Sequence, residues 1–199
     1  MLSMFNWMLS ITLGVSLLAV SAGMGQPLVN MTAAALVGLA IALVAIRENR
    51  MLRNTGSPEG IVAASTARHM GYIWTWGALS LLVIYAFILS WKEWLVFFLA
   101  FAVAAVLCLF VANALQRDAE AGREDPTMAT VARYLTIGQL VGMLITMIGL
   151  IVDKKMIRFT TEAGQRIGWQ DWAANNIFFF GALALAIVSA YALRAKRGT

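Results

Sequence analysis

Apolar residues arrive in this sequence in blocks about 20 residues long, apolar on every side, which is the length a helix needs to cross a bilayer. The clearest block opens at Tyr72-Ile-Trp-Thr-Trp-Gly-Ala-Leu and runs on to Tyr85. In lipid only helices and closed barrels satisfy their own backbone hydrogen bonds. Barrel strands would show alternating segments of about ten residues. The blocks therefore predict an all-α, polytopic membrane protein. Composition agrees: 61% of residues are hydrophobic and 13% are charged, against roughly 25% charged in soluble domains.

Six spans are predicted, at about Phe5–Met24, Val29–Ile46, Met70–Ser90, Trp94–Leu115, Tyr134–Val152 and Trp172–Leu193. The first has no Lys or Arg before it, so it reads as a retained helix rather than a cleaved signal. A polar loop is expected over Arg47–Arg68, with a short surface helix at Pro58–Thr66. Trp91 to Trp94 reads as a tight turn at the membrane boundary, and Trp74 and Trp76 as part of the interfacial belt. Gly122 suits a helix C-cap, Asp125-Pro126 a helix start, and Asp171 a cap for the sixth span. The segment 153–170 mixes Ile157, Phe159, Ile167 and Trp169 with charges and is expected to lie partly in the interface. No linker divides the chain, so residues 1–199 form one six-helix domain.

Basic residues set the expected orientation. One side carries Arg47, Arg50, Arg53, Arg68, Arg117, Arg123, Arg133, Arg194, Lys196 and Arg197; the other carries Lys92, Lys154, Lys155, Arg158 and Arg166. This bias puts both termini in the cytoplasm of a bacterial inner-type plasma membrane. The formal net charge of +5 is a topology signal, not a nucleic-acid patch.

Two patches recur 104 residues apart. Ile73, Gly77, Ala78, Leu79, Leu81 and Ala86 match Ile177, Gly181, Ala182, Leu183, Leu185 and Ala190; Leu36, Val37, Gly38 and Ile41 match Leu140, Val141, Gly142 and Ile145. Halves of about 1–92 and 93–199, with three spans each, would insert from opposite sides. That is an inverted 3+3 repeat, an arrangement that places pathways at the interface between units.

No carboxylate lies in the central part of any span, and His69 is the only histidine. Gln139, Asn175, Asn176, Asn113 and Thr75 are the candidates to line a pathway. Arg68, His69 and Arg133 are the candidates for a cytoplasmic vestibule suited to anions or lipid head groups. His69 also reads as a proton-sensitive gate, or simply as an interfacial histidine. Gly138 with Gly142, and Ala182, Ala186 and Ala190, have the spacing of close-packed helix contacts, within the chain or between copies. The lone Cys108 reads as a small buried hydrophobe. No ligand spacing for a metal or haem, no nucleotide fingerprint and no catalytic motif is present, so no cofactor and no enzymatic activity are expected. Two functions remain: a channel or small-solute transporter with its pathway between the inverted units, or a non-catalytic structural or assembly subunit. The bilayer is the expected partner, with a homo-oligomer or a larger membrane complex beside it.

Overall fold

A computed structural model describes residues 27–84, 91–152 and 168–197. The expected first span and most of the segment 153–170 lie outside the described residues. Within them every regular element is helical: α1 (Pro27–Asn54), α2 (Glu59–Ile84), α3 (Trp91–Glu120), α4 (Pro126–Val152), α5 (Trp169–Asn175) and α6 (Ile177–Arg197). Three helical stretches, Leu95–Glu120, Pro126–Gly149 and Ile177–Lys196, are long and apolar enough to cross a membrane.

The polar loop expected over Arg47–Arg68 is instead two helix ends joined by a turn. Arg, Glu, Met and Leu are good helix formers, so α1 continues past its apolar block to Asn54. Gly56 then takes φ +68°, a conformation that glycine adopts at little cost. The expected short helix at Pro58–Thr66 is the first part of α2, continuous with the span. Trp91–Trp94 is likewise the first turn of α3 rather than a tight turn. Gly122, at φ +65°, ends the next helix as expected. Asp125 caps α4: its Oδ1 accepts the N–H groups of Thr127 at 2.8 Å and Met128 at 3.2 Å. Asp171 does not cap the sixth span. Gly168 occupies that position, Asp171 lies within the first turn, and the helix breaks again at Asn176.

α2 is the centre of the bundle, packed on α1, α3 and α4, while α6 packs on α4 and α3. It is enclosed nearly all round; Leu79 is its one exposed large hydrophobic residue among those described. Trp74 and Trp76 are 0% and 3% exposed, so they belong to the core and not to an interfacial belt.

The core changes character along the bundle. The end near the α1–α2 turn is alanine-rich: Ala63, Ala64, Ala67, Ala112, Ala114, Ala129, Ala132 and Ala190 let backbones approach closely. The other half is aromatic. Trp74, Phe97, Phe101 and Phe179 meet edge-on or tilted, with ring centroids 5.1 to 5.7 Å apart, the arrangement the ring quadrupoles favour. Small residues seat the helices between these ends. Gly142 faces the Phe178 carbonyl, Gly138 faces Leu185, and Gly38 faces Met147. Ala182 and Ala186 are 1% exposed and Ala190 is 7% exposed, so both small-residue stripes serve contacts inside the chain.

The positions matched 104 residues apart occupy different surroundings. Ile73 is 1% exposed and Ile177 61%; Ile41 is 5% exposed and Ile145 37%. Gly77 abuts Phe101, whereas Gly181 has open space beside it.

Candidate functional site

The first eleven residues of α2 carry polar groups to three neighbours at one end of the bundle. Toward α1, the ring of His69, 4% exposed, lies between two acceptors. Its Nδ1 is 2.8 Å from the Ser65 carbonyl oxygen and its Nε2 is 3.2 Å from Glu48 Oε2. Both ring nitrogens face oxygen, an arrangement fully satisfied by the doubly protonated ring. The Ser65 hydroxyl donates to Glu48 Oε1 at 3.1 Å, and Asn49 donates to Thr66 one turn away. Tyr72 meets the His69 ring edge-on, 6.0 Å between centroids.

Toward α3, Arg68 donates to the Gln116 side chain, which in turn donates to Glu120 at 2.6 Å. Toward α4, Arg133 pairs with Glu59 in the first turn of α2 and lies 5.1 Å from the Tyr134 ring centroid. The α3–α4 turn joins in: Glu124 accepts the Gly60 N–H at 3.1 Å. Lys196 of α6 pairs with Asp125. A pocket of about 170 Å³ lies between these last groups, lined in part by Gly60, Asp118, Arg123, Glu124 and Lys196.

The imidazole beside Glu48 holds its carboxyl below the usual value of 4.5, against the opposing pull of partial burial; Ser65 and Arg68 act in the same direction as His69. A carboxylate with a depressed folded pKa contributes stability that is complete above its unfolded value and is lost as pH falls through the folded one. Below about pH 4.5, wild-type protein in detergent is therefore expected to lose thermal stability more steeply than Glu48→Gln, by about 0.5–1 kcal/mol for this half-buried pair. Parallel acid titrations of the two would refute the pairing.

A second polar feature lies near the middle of α2, α3 and α4. Gln139, 1% exposed, accepts the Trp74 indole N–H at 3.2 Å and the Cys108 S–H at 3.1 Å through Oε1. Its Nε2 has no hydrogen-bond partner among the described residues.

The expected pathway residues do not come together. Asn113 and Asn175 are exposed. Asn176 is buried, but its Nδ2 donates to the Trp172 carbonyl at 2.8 Å, closing the helix break on its own backbone. Thr75 donates to the Gly71 carbonyl one turn back. The three vestibule residues share one end of the bundle, each with its own partner: Glu48, Gln116 and Glu59. Glu48 and Glu59 were missed as partners because carboxylates at helix ends read as dipole and solubility features. Glu48 did carry a signal, since it falls seven residues after Ile41 and three after Ala45, on the buried stripe of α1.

Among the described residues no group of three His, Cys, Asp or Glu side chains could hold a metal ion. Compared with protein-family models, with curated proteins and with solved structures, the chain matches none of them, so the chemistry of the site carries the functional reading by itself.

Proposed function

We propose that this chain is a six-helix integral membrane protein acting as a non-catalytic structural or assembly subunit of a larger membrane complex. The observation that carries this reading is the filled aromatic half of the bundle. Trp74, Phe97, Phe101 and Phe179 occupy the space between α2, α3 and α6, where a pathway between helices would need polar lining. The enclosed α2 supports it too, since its polar groups meet other helices rather than one another across a cleft.

A channel or small-solute transporter is the second reading, favoured by Gln139. A buried amide with unpartnered N–H groups is costly and near mid-span it is the kind of group that meets a permeating solute. An inverted 3+3 arrangement goes with that reading. What supports it is that α1 packs on α2 as α4 packs on α6, although the matched residues differ in burial. An orientation with both termini in the cytoplasm of a bacterial inner-type membrane is supported by Arg47, Arg50, Arg117 and Arg194, which share one end.

Flux through liposomes separates the two functions. The subunit reading expects wild-type protein to pass ions and small polar solutes no faster than empty liposomes, and mild-detergent purification to recover a stoichiometric partner. Flux above empty liposomes that Gln139→Leu abolishes would overturn it in favour of transport.

A further inference from the structure

The outward faces of α1, α3 and α6 carry a second pattern. On α1 the exposed stripe runs Leu36, Leu39, Leu43 and then Arg47 and Arg50. On α3 it runs Val96, Leu99, Val103, Val106, Phe110 and then Asn113 and Arg117. On α6 it runs Ile177, Ile187, Tyr191 and then Arg194. Each stripe changes from apolar to basic over about one turn, and the three changes occur at the same end of the bundle. That end is also where α1, α3 and α6 finish.

Of the carboxylates at that end, Glu48, Glu59, Glu124 and Asp125 are half-buried and are engaged by His69, Arg133, the Gly60 N–H and Lys196 respectively, while Glu120 is exposed and accepts from Gln116. The guanidinium groups of Arg47, Arg50, Arg117 and Arg194 are exposed, and none forms an ion pair with another described residue. Favourable interaction with helix C-termini explains a basic last turn. It does not explain why these four arginines stay without an ion-pair partner among the described residues although Glu120, an exposed carboxylate at the same end, accepts from the Gln116 side chain instead.

We propose that these four arginines form a collar that binds the phosphate groups of anionic phospholipids in the adjoining leaflet. Guanidinium matches phosphate in shape and charge. The apolar stripe directly beside each arginine provides the surface along which the same lipid's acyl chains would lie. The collar thus recognises head group and chain together, which free phosphate cannot reproduce.

The test uses the full chain in a neutral detergent. Thermal unfolding is followed while phosphatidylglycerol, phosphatidylcholine or inorganic phosphate is added, and retained lipid is counted by native mass spectrometry. Phosphatidylglycerol is expected to raise the melting temperature and remain bound, the other two to do neither. Replacing Arg47, Arg50, Arg117 and Arg194 by Gln is expected to weaken the response about fivefold per residue removed. Because these side chains hold nothing inside the bundle, the melting temperature without lipid should stay near that of wild type. Raising salt on the wild-type protein gives a second measurement that needs no variant, and is expected to weaken the response. Equal stabilisation by phosphatidylcholine, an equal response to inorganic phosphate, a quadruple variant that responds like wild type, or a salt-independent response would each overturn the proposal.

Discussion

Trp74→Ala is expected to destabilise the bundle by about 3 kcal/mol, the lower end of the ~3–5 kcal/mol found for such truncations in water-soluble cores. The indole is 0% exposed and its ring meets Phe101 at 5.4 Å and Phe179 at 5.7 Å. Truncation leaves a hole between three helices and takes the N–H donor from Gln139. The lower end applies because lipid, unlike water, does not drive apolar groups inward; what is lost is packing and a hydrogen bond. Trp74→Phe separates the two contributions. It keeps most of the packing and removes the N–H, so its cost should be about 1 kcal/mol, in the range measured for hydrogen bonds between membrane helices. Unfolding in mixed micelles measures both. Equal losses for the two variants would show that the Gln139 bond, not the ring, holds the site.

Gly77→Ala and Gly181→Ala should move stability in opposite directions. A Cβ on Gly77 would overlap the Phe101 ring, and that ring is itself held between Trp74 and Phe179. Overpacking of this kind costs about 1–3 kcal/mol. A Cβ on Gly181 meets nothing within 4 Å, so alanine there gains up to about 1 kcal/mol of helix propensity. The two glycines are matched positions 104 residues apart. Similar responses from both would mean that their surroundings are alike and would strengthen the repeat. Opposite responses mean that the two copies, whatever their origin, now pack differently.

Helix identity and much of the internal packing were legible in the residues. Asp125-Pro126, Gly122 and the small-residue pairs act where their chemistry suggests. The polar stripe of α4 was present in the residues but was not read there: Arg133, Thr136, Gln139 and Thr146 recur at three- and seven-residue intervals on one buried face. The hydropathy pattern misled where it equated polar with loop. Arg47 to Asn54 continues a helix because backbone hydrogen bonds within α1 do not depend on what surrounds it. It also misplaced Trp74 and Trp76, because distance along α2 from the membrane edge says nothing about which face of the helix is covered. Asn176 illustrates a different gap. Its side chain reads as a ligand donor, but it bonds the carbonyl four residues back, and only the helix break reveals that.

The enclosure of α2 has a consequence for how the protein is made. Ser65, Thr66, Arg68, His69 and Thr75 all lie on this helix, most of them ahead of its apolar part. A nascent chain threading through an insertion channel would release Arg68 and His69 poorly into lipid alone. The flanking segments α1 and α3 carry the partners of its polar groups, Glu48 and Gln116 among them. Insertion of the central helix is therefore tied to helices synthesised before and after it, and the order of synthesis becomes part of what this sequence encodes.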